Sequence, residues 1–226
     1  PIINPTTNPT RMPSKNRRSL NASQAISACK VLDNWCILFI RVSLPINSHA
    51  LLLNLKEEGK SYDPQLANDS TAEIVDSLIG ETLIREGEDG QGVPGVAEKW
   101  EVSKDGLVWT FHLRKNAKWS NGDPITANDF KAGWLRALDP KTGAENAYLL
   151  FMIKNAEEFN SGKATADQVG IKVVDPKTLV VELKTPTPYF DDLVTFKAYM
   201  PLNEKYYNQV KDKYFSEAKY TIAVGP

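Results

Sequence analysis

The chain has 226 residues, 42% hydrophobic and 24% charged, enough for one or two domains with buried cores. A net charge of −1 provides no general attraction to nucleic acid or to an anionic membrane surface, so partners have to be argued from local features. It has no run of about 18 apolar residues, so no transmembrane helix is expected.

Residues 1–50 read differently from the rest. They hold Pro1, Pro5, Pro9, Pro13 and Pro45, a basic knot at Arg11, Lys15, Arg17 and Arg18, and no clear hydrophobic period. This composition predicts a disordered leader. Both cysteines, Cys29 and Cys36, lie here. Ile26-Ser27-Ala28-Cys29 has the form of a lipobox, whose cysteine is lipidated after signal cleavage. The preceding LNASQA is too polar for the apolar core of a signal peptide, so the chain shows no credible export signal. The stretch WCILFIRV, residues 35–42, is too short to span a bilayer. The odd composition and the start at Pro1 suggest that residues 1–48 come from a fragment, a fusion or an out-of-frame upstream reading.

From Leu51 the chain becomes orderly. Leu51–Leu55 is a strand candidate, and Ser61-Tyr62-Asp63-Pro64 is a turn. Ser70 and Glu73 have the spacing of a capping box. They precede a helix whose apolar stripe is Ile74, Val75, Leu78 and Ile79, ending at Gly80. The glycines of GQGVPG, residues 90–95, lack the Lys-Ser/Thr of a phosphate loop and read as a flexible turn. Leu107, Trp109, Phe111 and Leu113 alternate with Val108, Thr110 and His112, the period of a strand with one buried face. Joined through Lys104-Asp105-Gly106 to Ala97–Ser103, it predicts a hairpin with His112 on the less buried side. Asn121-Gly122-Asp123-Pro124 is a further turn, with positive φ expected at the Asn-Gly pair. Thr126 and Asp129 form a second capping box ahead of Phe130, Trp134 and Leu138, and this helix should stop at Asp139-Pro140.

A longer helix is expected over Ala144–Asn160, ending near Gly162. Ile171–Val174 and Leu179–Leu183, joined through Asp175-Pro176-Lys177, predict a second hairpin. A helix rich in Lys and Tyr is expected over Asn203–Tyr214. Trp119 and Trp134 are core candidates. No internal repeat is visible.

Catalytic chemistry is nearly absent. The two histidines, His49 and His112, accompany no serine or cysteine in a nucleophile elbow, and Cys29, Cys36 and His49 match no standard zinc spacing. The adjacent pairs Asp191-Asp192 and Glu57-Glu58 point different ways on any regular element and read as solvated surface. The expectation is a protein that is not an enzyme and uses no cofactor and no metal.

One run carries more. From Val93 onward, the order PG-AE-W-E-S-DG-WTF-LR-KWSNG-P-T-A-DF resembles the signature region of the bacterial family-5 solute-binding proteins, which capture peptides for ABC importers. The resemblance implies a mixed α/β, two-lobed periplasmic-binding-protein-like fold. Residues 51–83 and 201–226 would be part of a discontinuous first lobe, and 84–200 an inserted hairpin-rich subdomain able to fold alone. The second lobe would lie beyond this chain. It also implies an extended peptide clamped by main-chain hydrogen bonds. Ala67, Asn68, Asp69, Ser70 and Thr71 would line the cleft floor. Asn146 would stand where many relatives place a ligand-touching aromatic, with Tyr148 two residues on, either against the ligand or in the core. The implied partners are a peptide and the permease subunits of an ABC transporter. The product would be a monomer outside the cytoplasm, free or lipid-anchored, and this chain alone would bind peptides weakly or not at all. Alternatives are the same fold serving nickel, haem or an oligosaccharide, or a signalling receptor. From another class, the basic leader could belong to a small enzyme or a nucleic-acid binder.

Overall fold

The computed structural model describes residues 26–32, 35–43, 48–55 and 59–225. Strands β1 (Ile26–Leu32), β2 (Trp35–Ser43) and β3 (Ser48–Leu55) form an antiparallel meander in the order β1-β2-β3. The disordered leader expected over residues 1–50 therefore gives way to strands in part of that span. The β-branched and apolar run of β2 pairs with the leucines of β3, as in Ile40↔Leu51 and Leu38↔Leu53. β1 contains the lipobox-like tetrapeptide, whereas Arg11, Lys15, Arg17 and Arg18 lie outside the described residues.

Helix α1 (Ser70–Ile79) starts at a different cap from the one expected. Asp69 is the N-cap, with its Oδ1 accepting from the Ala72 N–H at 2.9 Å, so Ser70 is already the first helical residue. The buried face is Thr71, Ala72, Val75, Asp76 and Ile79, while Ile74 and Leu78 stay 46% and 43% exposed. The expected apolar stripe is thus only half used. Strands β4 (Ile84–Glu86) and β5 (Gly92–Pro94) pair across a turn at residues 87–91, so the GQGVPG run expected as a turn is a strand over residues 92–94.

β6 (Ala97–Val102) and β7 (Val108–Leu113) form the predicted hairpin, with Trp109, Phe111 and Leu113 buried and His112 half-buried on the opposite face. β8 (Lys118–Trp119) leads through the Asn121-Gly122 turn to α2 (Ala127–Leu138). The capping box forms: Asp129 Oδ2 accepts from Thr126 N at 2.7 Å and from Thr126 Oγ1 at 2.9 Å. The helix ends with Asp139 as its C-cap. The long helix expected over Ala144–Asn160 is two pieces, a 3-10 turn at Glu145–Leu150 and α3 (Ala156–Asn160). Asn155, at φ 58, adopts the left-handed conformation that separates them.

β9 (Ile171–Asp175) and β10 (Thr178–Glu182) form the second hairpin, and β10 also pairs with β7. The two hairpins are therefore one four-stranded sheet, β6-β7-β10-β9. After α4 (Phe190–Val194) and a 3-10 turn at Lys197–Tyr199 comes α5 (Glu204–Val210), capped by Asn203, whose Oδ1 accepts from Tyr206 N at 2.9 Å. This helix stops short of the expected Tyr214 because Lys211 turns to φ 44. β11 (Val224–Gly225) returns antiparallel to β8, through Val224↔Trp119.

One buried apolar cluster runs through the elements from α1 to β11, from Val75, Ile79 and Leu83 through Phe111, Phe130, Trp134 and Val181 to Tyr199, Ile222 and Val224. Residues 75–83 and 202–224 thus share their core with 84–200. Trp134 sits at its centre, donating Nε1–H to the Tyr199 carbonyl at 2.7 Å, edge-on to the Tyr199 ring. Among the described residues no helix is long and apolar enough to cross a membrane.

Candidate ligand-binding site

The site begins at the Asp63-Pro64 turn. The Asp63 carbonyl accepts from Leu66 N and Ala67 N, both at 2.8 Å, and its carboxylate is gripped by Arg136 of α2 in a two-pronged pair of 2.8 and 2.7 Å. Arg136 Nη1 also reaches Gln65 Oε1 at 3.0 Å, and Gln65 Nε2 donates to the Met200 carbonyl at 3.2 Å. The guanidinium lies 4.8 Å from the Tyr207 ring centre and 5.8 Å from that of Tyr214. This clamp fixes where residues 66–69 emerge from the body.

Residues 67–71 and 145–148, almost eighty positions apart, then meet. Asn146 Nδ2 donates to the Ala67 carbonyl at 3.1 Å, and Asn68 Nδ2 donates to Glu145 Oε2 at 2.7 Å. On the other flank Lys197 Nζ approaches the Asp69 carbonyl at 3.4 Å. Asp69 does double duty: besides capping α1, its Oδ2 accepts from Lys60 N at 2.9 Å. Burial opposes its charge, yet the N–H groups of Ala72, Lys60 and Thr71 and the nearby Lys197 hold its carboxyl below the usual carboxylate range. Ser70 is exposed and Thr71 is buried beneath it. Tyr148 is 59% exposed, which corrects the reading that packs it into the core, whereas Trp119 and Trp134 are buried as expected.

One turn deeper in α1, Asp76 is fully buried, and neither carboxylate oxygen has a hydrogen-bond partner. Burial pushes its carboxyl up to about 8; Lys197 acts against the shift, and Asp63, Asp69 and Glu73 add to it. The expected sites did not include Glu145, Lys197 or Asp76. The first two are ordinary surface charges in the sequence, and only the fold brings them to residues 67–71. Asp76 lies outside the apolar stripe that spacing predicts, and only the fold shows that it shares the buried face with Val75 and Ile79. His112 is far from this patch in the sheet, 3.5 Å from Glu101. Among the described residues, no group of three or more His, Cys, Asp or Glu is placed to hold a metal ion. The patch offers amides, carbonyls, the carboxylates of Asp69 and Glu145 and one exposed ring, groups able to hold a polar ligand.

Comparison with known proteins agrees with this character. The family model for bacterial extracellular solute-binding proteins, family 5 (middle), matches residues 91–226. The chain is 50% identical over 155 residues to the oligopeptide-binding protein OppA of Bacillus subtilis, covering 69% of this chain and 28% of that one. It is 42% identical over 176 residues to the dipeptide-binding protein DppE of the same organism, covering 78% and 32%. The structure of Listeria monocytogenes OppA bound to peptide superposes with a TM-score of 0.73 at 39% identity, over 75% of this chain and 34% of that one. The chain thus spans about a third of the length of the relatives it matches. With the match running from residue 91, just ahead of β5, through β11, the chain belongs to the bacterial extracellular solute-binding proteins of family 5.

Proposed function

We propose that this chain takes part in capturing extended peptides for an ABC importer, outside the cytoplasm, and that residues 67–71 with Asn146 and Tyr148 face the peptide. The observation that carries the reading is the convergence of two distant segments, tied by the Asn146–Ala67 and Asn68–Glu145 hydrogen bonds. An irregular backbone held from both flanks can offer its remaining N–H and C=O groups to a ligand strand, giving affinity with little demand on side chains. The names of the relatives support a peptide over a metal, haem or sugar. On this reading the permease subunits of the importer are partners, no catalytic step is involved, and residues 51–83 and 201–226 belong to a first lobe that shares its core with an insertion at 84–200.

A one-sided contact pays the full association entropy for a fraction of the contacts of a closed cleft, so affinities on the order of millimolar are expected from this chain. Two-dimensional amide NMR of the 15N-labelled chain, titrated with Ala-Ala-Ala, tests this. Saturable shifts should concentrate at residues 67–71 and 145–148. Shifts centred elsewhere, or none at 10 mM peptide (roughly tenfold above that scale), would reject the assignment.

A further inference from the structure

We propose that Glu145 and Tyr148 together read a positive charge on the bound peptide, so that the site selects cationic over anionic ligands. The proposal rests on the peptide-binding reading above. Glu145 and Tyr148 lie three apart in the 3-10 turn Glu145–Leu150, and a 3-10 turn has three residues per revolution, so the two side chains stand over one another on one face. Both are exposed, Tyr148 at 59%. Glu145 is anchored: its Oε2 accepts the Asn68 amide at 2.7 Å, which orients the carboxylate beside residues 67–71. Among the described residues no Lys, Arg or His approaches within salt-bridge distance of Glu145, so its charge is available to a ligand.

The surroundings lean the same way. Asp69 is held in its charged form and Glu73 is exposed on the first turn of α1, while Lys197, on the opposite flank, is the cation drawn to the Asp69 carbonyl. A carboxylate beside an open aromatic face is a setting for an ammonium or guanidinium, which gains the Coulomb attraction on one side and the ring quadrupole on the other. The cation can be the peptide's own amino terminus or a Lys or Arg side chain.

The test is the amide NMR titration with Ala-Lys-Ala, Ala-Ala-Ala and Ala-Glu-Ala, each with a free and an acetylated amino terminus, against the parent chain and Glu145→Gln. Gln keeps an acceptor for Asn68 and removes only the charge. Exposed ion pairs are weak, so the parent should prefer Ala-Lys-Ala over Ala-Glu-Ala by up to about fivefold at low salt, shrinking at high salt. Glu145→Gln should lose most of that preference, and Tyr148→Leu part of it, with Tyr148→Phe retaining it. If acetylation abolishes the effect of Glu145→Gln, the amino terminus is the group read; if the effect survives, it is the side chain. Equal affinity for all three peptides that neither acetylation nor Glu145→Gln changes, with shifts still centred on residues 67–71, would overturn the charge reading and leave peptide binding standing. Absence of shifts there would remove both.

Discussion

Asp76 shows what a single residue can cost. Its carboxyl, held at about 8 in the folded chain against an ordinary value of 3.8, binds a proton that the unfolded chain releases. Because the folded value is the raised one, the contribution of Asp76 to stability is greatest below 3.8, falls as pH rises towards about 8, and is level beyond it. The slope in that window is about 1.4 kcal/mol per pH unit. Asp76→Asn does not titrate, so its advantage over the parent should grow across the window, reaching about 2 kcal/mol or more at pH 7. Urea unfolding of both chains between pH 4 and 8 checks it, and a constant difference would mean that Asp76 is not kept neutral. Gly122 is a simpler case. It has φ +91, while Asn121 has no positive φ, so the expectation for the pair holds at the glycine alone. A Cβ at Gly122 would meet nothing within 4 Å, so Gly122→Val tests backbone strain without a clash. It should lower stability by about 1–3 kcal/mol, read as a lower Tm with the peptide preference unchanged.

At the scale of elements, the sequence makes legible what the chain decides locally. The β6–β7 hairpin follows from a period of two and a turn, and the α2 start from Thr126 and Asp129 three apart. The α1 start is not settled by spacing, because two acceptors in a row, Asp69 and Ser70, can each cap, and the longer-reaching carboxylate also binds Lys60 N. The stripe of α1 shares that ambiguity, since periodicity cannot tell which of Ile74 and Asp76 faces the body. The break at Asn155 gives no stronger signal than one asparagine in an apolar run. The joining of two hairpins by β7 and β10, and the meeting of residues 67–71 with 145–148, depend on contacts between distant residues and leave no local mark. Resemblance points to Ala67–Thr71 and Asn146 as neighbours of a ligand; nothing in their types does. The cap gives a direct test. Asp69→Ala should cost about 1 kcal/mol and fray the first turn of α1, visible as faster amide exchange at Ala72 and Glu73. Unchanged exchange there would move the cap back to Ser70.

At the scale of the whole molecule, Arg136 is a cross-link between distant elements. It joins the Asp63 turn to α2 and to the Tyr207 and Tyr214 rings, with the Arg136 and Asp63 side chains only 14% and 6% exposed. Burial alone would make the guanidinium easier to deprotonate, but Asp63 more than compensates and holds the proton on. Removing one partner strands the other charge, so Arg136→Ala should destabilise by about 3 kcal/mol and loosen residues 63–69. Chemical denaturation and the amide spectrum of that loop check both. A variant as stable as the parent would show that the clamp is ornamental.

The pairing of β11 with β8 has a consequence for how the chain is made. Among the described residues Trp119 finds its strand partner in Val224, so the ribosome must add roughly 100 residues before that pairing can form, a delay on the order of 5–20 s at the usual pace of synthesis. Until then the β8 edge stays unpaired by β11. A long non-local closure of this kind favours slow, late folding. It keeps the emerging chain threadable, the condition a protein needs if it is to be passed through a narrow secretion channel before it folds.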